Sequence, residues 1–292
     1  VLFRSLRKYR RLLERIEDRY GVDKEVVVAI WGLESSFGQN RGELPLIQSL
    51  ATLAYEGRRG AFFEQQLVAA LRIIQAGNVA PDDMTGSWAG AMGHTQFIPT
   101  SYLAFAVDYD GDGRRDIWSD DPADSLASTA AYLAKSGWKL HQPWGVEVQL
   151  PEGFDYGLAG ERTAKSITEW ASLGIRDMKG IEVPNHGVAS LLLPAGARGA
   201  AFLVFSNFKA IEHYNAADAY VIGVGHLADV GLKARVFAAQ QQRQRVEEVV
   251  TAAPFVHVVV PAVPAAGFGL AHAGAVGHQI GALEQRDQHV KD

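Results

Sequence analysis

Glu34 is the residue whose setting along the chain could do proton chemistry. It closes a stretch in which Val26, Val27, Ile30 and Trp31 recur at the i, i+3, i+4 spacing of one helix face. Glu34 stands seven residues after Val27, four after Ile30 and three after Trp31, so its carboxyl group leaves the helix beside apolar side chains. Removal from water disfavours the carboxylate and raises its pKa, which lets a glutamic acid donate a proton near neutral pH. By position alone the same residue also reads as a surface glutamate near a helix end. Asp23, an N-cap residue type, predicts the start of this helix, and Gly38 its stop.

A second segment, Gly86 to Tyr102, reads GSWAGAMGHTQFIPTSY. Its small residues permit close backbone approach. Trp88, Met92 and Phe97 offer apolar walls, and Ser87, Gln96, Ser101 and Tyr102 offer hydrogen-bonding ends, the mixture that a sugar requires of its site. A third segment places Asp108, Asp110, Asp112 and Gly113 as in the first half of an EF-hand loop, where alternating oxygens meet a hard cation and glycine makes the sharp turn. Ser119 holds the place of the usual terminal glutamate, and Asp120, Asp121 and Asp124 follow, so an Asp/Gly turn without metal is the other reading. Glu43, Glu64, Asp82 and Asp83 are further carboxylates, and none sits in a recognisable motif.

These groups need a frame. From Leu6 to about Trp138 the apolar spacing is helical, with Gly21, Gly38, Gly77 and Gly137 as stops. After Pro143, residues Val146 to Leu150 alternate like a strand, and Ala189 to Leu193 and Ala201 to Phe205 flank a turn at Pro194-Ala195-Gly196. Helical pattern returns from Phe208 to about Leu232. The expected class is mainly α, within α+β. A helical domain over 1–140 holds the 108–124 loop, a small β-containing domain covers 141–206, and a helical return covers 207–233. A low-complexity tail over 234–292 has the composition of a disordered segment. Its glycine-rich GFGLAHAG stretch lacks the strand–turn–helix frame of a phosphate loop, and His257, His272, His278 and His289 lack the spacing of zinc ligands.

The 292 residues are 48% hydrophobic, enough for a sizeable core, and carry a net charge of −5 that gives no footprint for nucleic acid. With no cysteine there is no disulfide, thiolate metal site or thiol nucleophile. No apolar run is long enough for a transmembrane segment. Arg4, Arg7, Lys8, Arg10 and Arg11 are not followed by the apolar stretch of a secretory signal. The helical stripe of Leu6, Leu12, Leu13 and Ile16 predicts that the chain begins inside a longer protein.

Glu34-Ser35-Ser36-Phe37-Gly38 together with the Gly86 to Ser101 block resembles the lytic murein transglycosylase B family, which carries E-S-x-F/Y-G and G-S-W-A-G-A-M-G-x-x-Q-F-x-P-S/T-S. The likeness continues through Ile47 to Tyr55, Arg58-Arg59, the Asp108 loop, Ser136-Gly137-Trp138 and Tyr214-Asn215, and spans about Leu6 to Leu232. It implies a lysozyme-like fold, with a helical catalytic domain and a smaller mixed domain beside it. It also implies non-hydrolytic cleavage of the β-1,4 bond between N-acetylmuramic acid and N-acetylglucosamine in peptidoglycan, giving 1,6-anhydromuramoyl products. On the resemblance, Glu34 is the single catalytic acid, Ser87 and Gln96 contact the sugar, and Met92 and Phe97 shape the cleft. Tyr214, Asn215 and Tyr220 line its far side; read by themselves, the two tyrosines are equally core aromatics. Arg58 and Arg59 would meet an acidic peptide stem or remain solvated charges. Asp108, Asp110, Asp112, the carbonyl of Arg114 and a late Asp124 would hold a structural calcium, while the chemistry itself needs no cofactor. The partner implied is the peptidoglycan glycan strand, met by a monomer in the periplasm or cell envelope. A hydrolytic muramidase and a non-catalytic glycan-binding protein are the alternative readings.

Overall fold

In a computed structural model of the protein, residues 1–252 are described. The sequence-predicted tail features at His257, His272, His278, His289 and the GFGLAHAG stretch lie outside the described residues.

Three helices open the chain: α1 (Leu2–Lys8), α2 (Arg10–Tyr20) and α3 (Lys24–Ser35). In α2, Leu13 and Ile16 share one face and are fully buried, and Gly21 ends the helix at φ +63°, in the left-handed region that glycine enters without strain. α3 is buried on all sides over its middle, where no residue from Val26 to Trp31 is more than 3% exposed. It starts where Asp23 predicts and stops earlier than Gly38 predicts. Asp23 occupies the N-cap position, but its carboxylate accepts instead from the Trp138 indole N–H at 2.9 Å and the His141 backbone N–H at 3.1 Å. Glu17 takes the Lys24 N–H at 3.2 Å and pairs with the Lys24 ammonium. At the other end the helix stops before Gly38 is reached, because Ser36 and Phe37 already have φ of 52° and 62°.

The chain continues through β1 (Leu44–Pro45), α4 (Leu46–Glu56), α5 (Gly60–Gln75), β2 (Thr85–Gly86), α6 (Pro99–Phe105) and α7 (Ala123–Lys135). β1 and β2 pair antiparallel, Leu44 opposite Gly86, and so bring the segment after α3 alongside the start of the glycine-rich run. α6 begins with Pro99, whose fixed φ and missing N–H suit a first helical position.

A five-stranded sheet follows: β3 (Gly145–Gln149), β4 (Ala164–Ser166), β5 (Arg176–Asp177), β6 (Val188–Leu192) and β7 (Ala201–Val204), in the order β4-β6-β7-β3-β5. Every pairing is antiparallel, and β6 and β7 meet with Ser190 opposite Val204 and Leu192 opposite Phe202. One further helix, α8 (Ile167–Ser172), carries a capping box between Ser166 and Glu169 and sends Trp170, fully buried, under the sheet. α9 (Ser206–Tyr214) and α10 (Asp218–Ala252) complete the described chain. The helix α10 runs through the Gln-rich segment, so the expected tail boundary at 234 is not a structural one; Gln, Ala, Arg and Glu are good helix formers. Contacts divide the chain into a unit of Val1–Arg243 and a second from Gln244, of which the helical residues to Ala252 are described.

Within the first unit the buried apolar residues form separate clusters. One surrounds α3 and draws Leu126, Leu133, Phe208, Ile211 and Val224 from later helices and Trp144 from the segment before β3. A second joins α4 and α5 to the glycine-rich run through Leu46, Leu50, Ile73, Met84, Met92 and Phe97. The third lies beneath the sheet around Trp170, Leu191 and Leu203. Among the described residues no helix is long and apolar enough to cross a membrane.

Candidate active site

Glu34 sits on the last turn of α3, and the hydroxyl of Tyr220 donates to its Oε1 at 2.6 Å. Burial pushes the Glu34 carboxyl above the ordinary glutamate range, and the phenol hydrogen bond works the other way by favouring the carboxylate. Among the described residues no second carboxylate perturbs it. Tyr220 lies in the first turn of α10, and the turn before it is built by Asn215, whose Oδ1 accepts the Ala217 N–H at 3.1 Å. The Tyr220 N–H in turn reaches the Ala217 carbonyl at 2.8 Å. Asn215, predicted to line the site, is exposed and shapes the connection that delivers Tyr220. Tyr214 ends α9 with its ring centroid 4.9 Å from Tyr132 and 5.8 Å from Phe97, and its hydroxyl donates to the Thr95 carbonyl. Burial, and then the charge of Glu34, hold the Tyr214 phenol well above its usual range.

The glycine-rich run forms a tightly turned wall. Ser87 closes a tight turn, its N–H donating to the Ala91 carbonyl at 2.8 Å and its Oγ accepting the Ala91 N–H at 3.0 Å, which leaves the hydroxyl proton to donate. Met92 and Phe97 exchange backbone hydrogen bonds at 2.9 and 3.0 Å. Their side chains are 0% and 2% exposed and belong to the second core, so they back the wall from inside; the expectation that they face the cleft is corrected. Four intervening residues turn so tightly that Gln96 adopts φ +54°. Gln96 spends its amide N–H groups on the Arg41 carbonyl at 3.0 Å and the Gly93 carbonyl at 2.9 Å, and keeps its Oε1 as the remaining acceptor. Arg58 and Arg59 are exposed, the latter with its guanidinium 4.3 Å over the Phe62 ring.

The sequence motifs gave no role to His94 and Arg41. His94 is 4% exposed; its Nδ1 accepts the Trp31 indole N–H at 3.1 Å and its Nε2 meets the Ser119 carbonyl at 2.7 Å. Its own carbonyl accepts from Ser35 Oγ. Arg41 donates through Nη1 to the Trp118 and Ser119 carbonyls at 2.7 and 2.9 Å and pairs through Nη2 with Asp120 at 2.8 Å. His94 lay in plain view inside the glycine-rich run, but its partners are 63 and 25 residues away, a distance that no periodicity encodes.

In the acidic loop, Asp108, Asp110 and Asp112 each bring a carboxylate oxygen within 4.8 Å of the other two. Asp108 also accepts the Gly111 and Gly113 N–H groups at 2.7 and 3.0 Å, in a turn where both glycines have φ above +80°. Three converging oxygens supply part of the six to eight that calcium takes, and an all-oxygen set suits a hard cation. Asp124, expected as the late ligand, stands outside this triangle. It is buried at the start of α7, with Oδ1 accepting the Tyr109 N–H and Oδ2 the Asp116 N–H, each at 2.8 Å, and burial raises its pKa to about 6. Its side chain clasps the two ends of the loop together. Arg114 follows the triangle at the surface, its N–H donating to Asp112 at 2.8 Å.

The family described as "Transglycosylase SLT domain" matches residues 3–229. The membrane-bound lytic murein transglycosylase B of Escherichia coli (strain K12) is 34% identical over 236 residues, which cover 78% of this chain and 62% of that protein. SltB3 from Pseudomonas aeruginosa, solved in complex with NAG-anhNAM-pentapeptide, is 53% identical with a TM-score of 0.76, over 78% of this chain and 62% of that one. The Escherichia coli lytic transglycosylase Slt35, solved in complex with calcium, is 32% identical with a TM-score of 0.70, over 80% of this chain and 74% of that one. The chain thus spans less than two thirds of the length of the first two relatives. Its helix-rich, lysozyme-like fold with a small sheet is the one expected. With the match covering most of its length, and Glu34 and the glycine-rich wall inside it, the chain belongs to the transglycosylase SLT domain family.

Proposed function

We propose that this chain cleaves the β-1,4 bond between N-acetylmuramic acid and N-acetylglucosamine in peptidoglycan without water, using Glu34 as its one acid and base. The observation that carries this reading is a half-buried carboxyl group held by a single phenol, with no second carboxylate acting on it among the described residues. Glycosidases that work through a nucleophile or an activated water need two carboxyl groups at a set separation. A reaction whose nucleophile is already part of the substrate needs one, because an internal hydroxyl gains its advantage from proximity.

Glu34 begins protonated and gives its proton to the bridging oxygen as the bond to C1 breaks. The carboxylate left behind removes the proton of the muramoyl C6 hydroxyl, whose oxygen bonds to C1 and forms the 1,6-anhydro ring. Glu34 is protonated again and no water is consumed. Burial favours the acid form needed first, and the Tyr220 hydrogen bond stabilises the carboxylate needed second. The Ser87 hydroxyl proton and the Gln96 Oε1 supply a donor and an acceptor for the sugar, while Tyr214 and Asn215 build the opposite side.

Asp108, Asp110 and Asp112, with the carbonyl of Arg114, would hold a structural calcium, which would pin the loop ahead of α7; Asp124 serves that loop as a clasp. Slt35 in complex with calcium supports this reading. The substrate sets the place of action in the periplasm or cell envelope.

The test is mass spectrometry of purified peptidoglycan digested by this chain and, in parallel, by Glu34→Gln. Anhydromuropeptides that vanish in the variant are the expected result. New reducing muramic acid ends would identify a hydrolytic muramidase. A folded chain that binds glycan and releases no product would identify a binding protein.

A further inference from the structure

The indole of Trp31 can only donate to Nδ1 and the carbonyl of Ser119, at 2.7 Å, can only accept from Nε2, while Arg41 Nη1, farther from Nε2 at 3.4 Å, spends its protons on the Trp118 and Ser119 carbonyls; the imidazole is therefore the neutral Nε2–H tautomer. Burial, with the Arg41 guanidinium close by, holds the imidazole neutral by lowering its pKa. Three segments converge on this one side chain. Trp31 lies on α3, three residues before Glu34. His94 itself lies in the tight turn between Met92 and Phe97, two residues before Gln96. Ser119 follows the acidic loop. The backbone is joined at the same point, since Ser35 Oγ donates to the His94 carbonyl and accepts the Gly38 N–H at 2.8 Å, while the His94 N–H donates to the Ile117 carbonyl at 3.3 Å. A Cβ on Gly38 would stand 2.4 Å from His94 Nδ1, so the close approach requires glycine there.

We infer that His94 is a positioning residue for the reaction: bridging Trp31 and Ser119, it sets the last turn of α3 against the 92–97 turn, and so the Glu34 carboxyl against the Gln96 amide oxygen. The inference rests on Glu34 acting as the acid and base. His94 touches neither substrate nor reacting atoms; it acts through Trp31 and the backbone of its own turn. A side chain of similar bulk without nitrogen atoms would leave the Trp31 N–H and Ser119 carbonyl without that partner and release the register between the two walls.

Steady-state cleavage of soluble glycan strands by the wild-type chain, His94→Phe and His94→Gln tests this, with circular dichroism as the check on folding. His94→Phe lowers kcat by up to about a hundredfold, the scale of an ångström-sized misplacement, with KM nearly unchanged. His94→Gln, which presents one acceptor and one donor, recovers most of the loss. Nitrogen chemical shifts of the wild-type imidazole report Nε2–H, a measurement that needs no variant. The inference is overturned if folded His94→Phe keeps wild-type kcat, if His94→Gln falls as far as His94→Phe, if KM alone rises, or if the imidazole carries its proton on Nδ1. If His94→Phe does not fold, His94→Gln and the tautomer decide. A wild-type chain that forms no 1,6-anhydro product removes the reaction reading first, and the positioning role with it.

Discussion

The carboxyl group of Glu34 is half-buried beneath the Tyr220 hydroxyl, whereas those of Asp108, Asp110 and Asp112 gather within 4.8 Å of one another at the surface of a loop. Protein groups from another helix complete the first arrangement. Backbone N–H groups of the loop itself hold the second, and three like charges remain together. The two regions show how environment divides work between carboxylates of similar intrinsic pKa. A carboxyl withdrawn from water gains affinity for a proton, while clustered, accessible carboxylates gain affinity for a cation. Asp124 stands between these cases, buried like Glu34 but spent on two backbone N–H groups.

The comparison breaks most visibly at Glu34. Glu34→Gln keeps the size of the side chain and removes its proton chemistry, and the cleavage rate is expected to fall by about 10²- to 10⁴-fold while the melting temperature does not drop. A variant that retains most of the rate would remove the distinction between the two regions. At the acidic loop, Asp124→Ala leaves the Tyr109 and Asp116 N–H groups without their acceptor. Denaturant unfolding is expected to show a loss of about 2–6 kcal/mol, at about 1–3 kcal/mol for each of the two donors left unpaired. An unchanged midpoint would mean that the clasp contributes nothing.

Calcium sharpens the contrast. Added at a hundred times its dissociation constant, it should stabilise the wild-type chain by about 2.7 kcal/mol, read as a rise in melting temperature. Asp110→Asn should abolish that rise without changing the metal-free melting temperature, because an amide oxygen can still accept the Asp112 N–H. Calcium stabilisation that survives in this variant would place the ion elsewhere.

The smallest effect belongs to Tyr220. Tyr220→Phe removes the hydrogen bond that favours the Glu34 carboxylate, so the Glu34 pKa rises further. Activity needs protonated Glu34 first, and kcat/KM falls as pH rises through that pKa. The falling limb of the pH–rate profile should therefore move to higher pH, with kcat lower by about tenfold, the cost of one hydrogen bond to a charged group. A limb that stays in place would show that Tyr220 does not act on Glu34.

The same contrast explains which parts of the molecule were legible in the sequence. The helix bearing Glu34 is local in origin: its apolar residues repeat with the helical period and could be read without a neighbour in view, whereas the choice of Glu34 over a surface glutamate came from the distant glycine-rich run and the family resemblance. The acidic loop is also local, since Asp108, Asp110, Asp112 and Gly113 lie in one short run. The sheet strands around Pro194 were legible for the same reason, two short apolar runs that flank a turn. Met92 and Phe97 were assigned to the cleft because they share a segment with Ser87 and Gln96, yet the tight turn sends neighbouring side chains of that segment into the second core. The family resemblance implies Asp124 as a late cation ligand, and burial at the start of α7 turns it to the loop backbone.

By itself the sequence determined the helix that carries Glu34, the glycine-rich run, the acidic loop and membership of the family, because each is written in residue types at short, regular spacing. Only the tertiary structure decided that Tyr220 holds Glu34 across 186 residues, that His94 reaches Trp31 across 63, and that Asp124 faces the backbone N–H groups of Tyr109 and Asp116. Periodicity specifies which face of an element leaves water. The partner that covers that face is selected by packing among segments that meet only when the chain has folded.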